Sequence, residues 1–162
     1  MKLDVVAQAL FLIVIANGAP ILAARLLGGR FSRPVDGGAL FLDGRPLFGR
    51  SKTLRGLVAS VTATAMAAHF LGLSATAGAA IAALAMAGDL LSSFLKRRIT
   101  LAPSAQALGL DYFPESFLPA LYAAAAMPLT AVETATVLAL FFVAGIILSR
   151  VVYALKLREQ PN

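Results

Sequence analysis

Apolar runs of membrane-crossing length constrain this chain more than any other feature of it. A bilayer core takes about 20 predominantly apolar residues per helix, and the sequence offers such stretches at about residues 4–27, 54–73, 75–95, 116–131 and 134–155. The expected fold is an all-α integral membrane protein of five transmembrane helices, with residues 1–162 as a single polytopic domain. The fourth stretch is the shortest, and Pro114, Pro119 and Pro128 punctuate it. Lipid-exposed irregular backbone is not tolerated, so its breaks should be buried or near an interface. The first stretch is preceded by a single Lys followed by an Asp and exceeds the roughly 7–15 apolar residues of a signal-peptide core, so a retained helix is expected.

The basic residues orient these helices. Arg25, Arg30, Arg33, Arg45, Arg50, Lys52 and Arg55 flank the first long connection, 28–53. Lys96, Arg97 and Arg98 open the second, 96–115, and Arg150, Lys156 and Arg158 end the chain. With five helices every one of them falls on the same side, and only Lys2 is opposite. Cytoplasmic loops carry the excess of Lys and Arg. Two long cytoplasmic loops, an outside N-terminus and a cytoplasmic C-terminus follow, in a multi-pass protein of the cell membrane. The net charge of +6 lies beside apolar spans, so it points to orientation and phosphate binding, not to nucleic acid. The absence of cysteine excludes disulfides, thiolate metal sites and a thiol nucleophile.

Three segments could carry chemistry. In "GDLLSSFLKRR", residues 88–98, helical spacing places Asp89, Ser93, Lys96 and Arg97 along one stripe, with Ser92 at its border. A carboxylate near a bilayer is costly and usually functional. Here it could hold Mg²⁺, an ion that also binds substrate phosphates, and the cations below could grip the same phosphates. The alternative is that the cations anchor the helix and Asp89 pairs with one of them. In the first loop, "FLDGRPLFGRSKTLRG" joins a Gly-containing turn and a basic cluster to a helix start, features that favour phosphate. It lacks P-loop spacing, and no strand precedes it. A solvated basic loop facing anionic headgroups is the simpler alternative. In "ANGAP", residues 16–20, Asn17 should face the bundle interior, and Gly18 and Pro20 are expected to kink the helix. Asp111, in "GLDYFPE" just before the fourth apolar stretch, is either a second metal ligand or a helix cap. His69 falls at the far end of the second helix and is expected to be structural. Ser92 and Ser93 have no base arranged beside them, which argues against a serine hydrolase.

These three segments, in this order, resemble the CDP-archaeol synthase family. Its members carry Asn-Gly-Ala-Pro, a Phe-Asp-Gly…Phe-Gly-x-x-Lys-Thr-x-Arg-Gly loop and a Gly-Asp-Leu-x-x-Ser-x-x-Lys-Arg helix end. The family is similar to the phosphatidate cytidylyltransferases. The resemblance implies a CTP-dependent enzyme that converts a lipid phosphate to a CDP-lipid with release of pyrophosphate, using Mg²⁺. Carried over by position, Asn17 would line the site, and Lys52, Thr53 and Arg55 would hold the triphosphate beside the Phe48–Gly49 turn. Asp89 would bind metal, Ser93, Lys96 and Arg97 would lie near the phosphates, and Asp111 would be a further metal ligand. Asp89, Lys52 and Lys96 would be the catalytic groups. Three places depart from the pattern: Ala102-Pro103 replaces a Lys-Asp pair of the related phosphatidate enzymes, "SAQALGLDY" stands in place of their His-Gly-Gly-rich loop, and Tyr112 stands where Gln or Arg is usual. The competing expectation is a non-catalytic relative that binds anionic lipid or nucleotide as a scaffold or transporter subunit. The sequence does not fix an oligomeric state, and a homodimer is open to it.

Overall fold

A computed structural model of the chain describes residues 2–101 and 108–154, the side chains of 108–111 and 148–154 excepted. Among the described residues there are five helices: α1 (Leu3–Leu27), α2 (Leu54–Phe70), α3 (Ala75–Arg98), α4 (Leu108–Ala126) and α5 (Ala131–Ala154). The start of α1, the end of α2, the start of α3, the end of α4 and the start of α5 share one apolar cluster, built on Val6, Leu12, Ile13, Ile81, Val137 and Phe141. The helices therefore alternate in direction. A second, thinner cluster of Ala16, Ala82, Ala85 and Met86 lies toward the other end.

α3 is the central post and packs against α1, α2 and α4. Its glycines permit close approach. A Cβ on Gly78 would stand 2.6 Å from the Thr64 carbonyl oxygen of α2, and one on Gly88 would stand 2.0 Å from the Pro114 carbonyl oxygen of α4. Small residues at such contacts let helix backbones meet closely. The outward faces are apolar instead: Leu22 of α1, Val58 and Met66 of α2, and Val143 and Ile147 of α5 are all exposed. α1 and α3 are long and apolar enough to cross a bilayer.

α1 runs unbroken past Pro20. Proline has no N–H, so the carbonyl four residues earlier, on Ala16, loses its helical partner. Ser60 of α2, fully buried, donates its Oγ–H to that oxygen at 2.7 Å. At the far end, Glu133 accepts the Lys2 backbone N–H at 2.5 Å and the Thr130 N–H at 2.9 Å, which joins the starts of α1 and α5.

The fourth helix differs from the sequence expectation. It begins at Leu108, so Asp111 lies inside it and is not its N-cap. Pro114 does not mark the boundary, because the packing of its carbonyl on Gly88 holds the helix across it. Tertiary contact here overrides local propensity. Ala102, Pro103, Lys156 and Arg158 lie outside the described residues.

Candidate active site

The first loop folds back on itself in two antiparallel bridges, Pro34 with Thr53 and Leu40 with Pro46. Asp36 organises its centre. Its carboxylate accepts the N–H groups of Gly38 at 2.9 Å, Phe48 at 2.9 Å and Gly49 at 3.1 Å. Partial burial alone would raise the Asp36 pKa, but the backbone donors, Phe48 foremost, outweigh it and hold the carboxyl below its ordinary value. Gly49 sits at φ +94°, where a side chain would be strained. Its carbonyl accepts the Lys52 N–H at 3.2 Å, and the Lys52 carbonyl accepts the Val35 N–H at 2.8 Å. The Lys52 backbone is thus fixed on both sides.

This geometry delivers the Lys52 ammonium to α3, where Nζ lies 2.6 Å from Asp89 Oδ1. The two side chains are 21% and 19% exposed, so the pair lies partly buried but open to one side. One turn on, Ser92 and Ser93 are buried, and Ser92 donates its hydroxyl to the Asp89 carbonyl at 3.1 Å. Lys96 and Arg97 belong to the last turn of α3 and are only 8% and 6% exposed. Neither lacks a partner, as burial of a charge requires. Lys52, Lys96, Arg97 and Arg98 are therefore gathered along the C-terminal part of α3. Cations at a helix C-terminus also complement its dipole.

Other expected site residues are engaged differently. Thr53 is the N-cap of α2, and its Oγ1 accepts the Gly56 N–H at 3.2 Å; its own hydroxyl proton stays available for donation. Arg55 turns its Nη1 to the carbonyls of Gly28 and Arg30, at 2.7 and 2.6 Å, where it closes the end of α1. Asn17 donates to the Ile13 carbonyl of its own helix at 2.9 Å. Among the described residues no hydrogen bond joins Asn17 or Arg55 to Asp89. The Asp111 side chain lies outside the described residues, though its place in α4 is one turn before Glu115 and on the same face. His69, in the last turn of α2, packs beside Phe70.

Sequence reasoning missed Asp36, the anchor of the Phe48–Gly49 turn, and Glu115, whose backbone meets α3 one residue from Asp89. The "VDGG" turn signal, residues 35–38, marks Asp36 in retrospect. In the sequence Arg45 is one more cation flanking the first connection. The structure instead uses Arg45 to cap α3, with Nη1 2.7 Å from the Arg98 carbonyl.

The family model described as CarS-like CDP-archaeol synthase matches residues 2–161. The chain belongs to the CDP-archaeol synthase family. It is 35% identical to the CDP-archaeol synthase of Aeropyrum pernix, an alignment covering 99% of this chain and 94% of that one. It is 42% identical to that of Hyperthermus butylicus over 67% of each chain. A solved structure described as an intramembrane enzyme for archaeal membrane lipid biosynthesis superposes with a TM-score of 0.70 at 28% identity, covering 85% of this chain and 90% of the other. The chain is accordingly a membrane protein and an enzyme, a CTP-dependent cytidylyltransferase acting on an archaeal lipid phosphate. The non-catalytic alternative gives way to that function.

Proposed function

We propose that the Lys52–Asp89 junction is where CTP binds and is attacked. The observation that carries this is the convergence on one helix end of a fixed ammonium, a partly open carboxylate and the buried Lys96 and Arg97. An oxygen of the lipid phosphate attacks the α-phosphorus of CTP in line. A new phosphoanhydride bond forms to that phosphorus, its bond to the bridging oxygen of the β-phosphate breaks, and pyrophosphate leaves. Such chemistry depends on positioning and charge stabilisation more than on a protein nucleophile. Lys52, Lys96 and Arg97 hold the triphosphate and the charge that grows on the leaving group. The Phe48–Gly49 turn, its N–H groups held by Asp36, sets the Lys52 backbone beside this space, and Ser93 and Thr53 supply hydroxyls near it. Asn17 and Arg55 support the site around α1: Asn17 bonds to a carbonyl of that helix, and Arg55 to the Gly28 and Arg30 carbonyls just past its end.

The donor set suits Mg²⁺. That ion takes one or two carboxylates and completes its shell with water and substrate phosphates. Asp89 would hold the ion, with Asp111 as the second carboxylate by its position in α4. When bound, the metal would neutralise phosphate charge and polarise the α-phosphorus.

The exchange of labelled CTP into CDP-lipid, measured on purified protein with a panel of archaeal ether-lipid phosphates and phosphatidate, tests the assignment. Asp89→Asn should abolish turnover while the protein remains folded. Turnover within a few-fold of the parent would leave Asp89 as a mere anchor for Lys52. We also propose five spans with both long connections cytoplasmic in the cell membrane. The alternating helix directions and the placement of the cations support that orientation.

A further inference from the structure

The tip of the first loop and the end of α3 exchange arginines. Arg98 of α3 reaches into the loop: Nη1 pairs with Asp43, and Nη2 donates to the Pro46 carbonyl at 2.7 Å. Its guanidinium carbon lies 4.8 Å from the Phe41 ring centre and 4.9 Å from that of Phe94, and the two rings meet edge to face at 5.2 Å. In the opposite direction, Arg45 of the loop donates to the Arg97 and Arg98 carbonyls at 3.3 and 2.7 Å. Those carbonyls end α3, where the regular helical ladder runs out; that of Arg97 also accepts the Thr100 N–H at 3.4 Å. The flanking turn is closed by two bonds of its own, as the Phe41 N–H donates to the Arg45 carbonyl at 2.8 Å and the Leu47 N–H to that of Ala39 at 3.0 Å.

Arg98 is therefore not a spare phosphate ligand. Its fork is committed to the loop and its flat face to two rings, a use that a lysine could not reproduce. From this contact one continuous set of bonds leads to Lys52. The 40–46 bridge abuts the Phe48–Gly49 turn, Asp36 holds that turn, and the Gly49 carbonyl holds the Lys52 N–H. We infer that Arg98 and Arg45 form a reciprocal clasp that fixes the first loop on α3 and so positions Lys52 for the nucleotide. Arg98 is a positioning residue for CTP, not a group that touches it. The inference rests on the proposed role of Lys52 in binding the triphosphate.

The test is a double-mutant cycle with steady-state kinetics on Arg98→Met, Lys52→Met and the pair, together with hydrogen exchange at the Phe41 and Leu47 amides. Arg98→Met should raise the KM for CTP about tenfold, the size of one displaced charge-assisted contact. The KM for lipid phosphate and kcat should change little, and both amides should exchange faster. In the Lys52→Met background, Arg98→Met should add almost nothing, because its effect runs through Lys52. Effects that multiply in the double variant would overturn the inference. So would faster exchange with an unchanged KM for CTP, in a protein where Lys52→Met alone does raise it. If Lys52→Met alone leaves CTP use intact, the assignment of Lys52 fails, and the inference with it. Should Arg98→Met not fold, Asp43→Asn removes the ionic partner while sparing the ring contacts, and the same split, several-fold in KM for CTP, is required.

Discussion

Replacing Ser60 by alanine should destabilise the bundle out of proportion to the single oxygen removed. The Ser60 hydroxyl is fully buried and is the donor supplied to the Ala16 carbonyl, which Pro20 leaves without a helical N–H. Leaving a buried acceptor unsatisfied costs about 1–3 kcal/mol, and the low-dielectric bilayer core favours the upper part of that range. For a chain of this size each kcal/mol moves the unfolding midpoint by roughly 2–4 °C, so a fall of about 4–10 °C is expected. Pro20→Ala changes the forecast. It keeps the Cβ that faces Gly56 of α2, where an added Cβ would stand 3.2 Å away, and it returns an N–H to Ala16. In that background Ser60→Ala should cost well under about 1 kcal/mol, since the carbonyl now has its own helical partner. Thermal or denaturant unfolding of the four proteins in one detergent measures the coupling. Costs that add to within about 0.5 kcal/mol would refute the assignment of Ser60 to the orphaned carbonyl.

Gly88→Ala places a methyl group against the Pro114 backbone and should cost at least about 1–3 kcal/mol by unfolding, with loss of turnover because α4 is pushed off α3 beside Asp89. Lys52→Ala should weaken CTP use by about ten- to a hundredfold, from the usual worth of charged hydrogen bonds, whereas Arg50→Ala, at an exposed loop position, should change it less than about twofold; equal effects in the same assay would reduce the loop to an electrostatic anchor. Asp36 has a lowered pKa, so its contribution to loop order is complete above the ordinary value of 3.8 and is lost as pH falls through the lower folded value. Leu42→Trp, in a chain with no tryptophan of its own, should report a loop unchanged from neutral pH to about pH 5 and loosening only in stronger acid, and Asp36→Asn should remove that transition. Reporter fusions after residues 40 and 105 should read cytoplasmic and one after residue 74 outside; an outside signal at 105 would break the five-span orientation.

The helices were legible because their signal is local. Apolar runs mark α1, α2, α3 and α5 to within a few residues of 4–27, 54–73, 75–95 and 134–155. The start of α4 was not, because its prolines argue for a break and only the contact with Gly88 reveals why the helix persists. At the site, the stripe of Asp89, Ser93, Lys96 and Arg97 follows from helical spacing alone, and α3 contains all four. The meeting of Lys52 with Asp89 bridges 37 positions, and the contacts of Arg98 with the loop bridge more than 50. No periodicity encodes such pairs. Arg45, Lys52 and Arg55 look alike in the sequence, yet one caps α3, one meets a carboxylate and one closes α1. Loop folding, which the Asp36 hydrogen bonds direct, makes the distinction.

The thick apolar cluster that fills the far half of the bundle also imposes a traffic rule. Leu12, Ile13, Ile81, Val137 and Phe141 plug the end opposite the loops, so a polar molecule held at the proposed Asp89 site has no way out through that end. A water-soluble product leaves by the route its parent entered. Pyrophosphate still held at the proposed site would bar the next CTP, and its inhibition should be competitive with the nucleotide. Whatever removes pyrophosphate from the surrounding water then keeps the queue moving and draws the reversible transfer toward CDP-lipid.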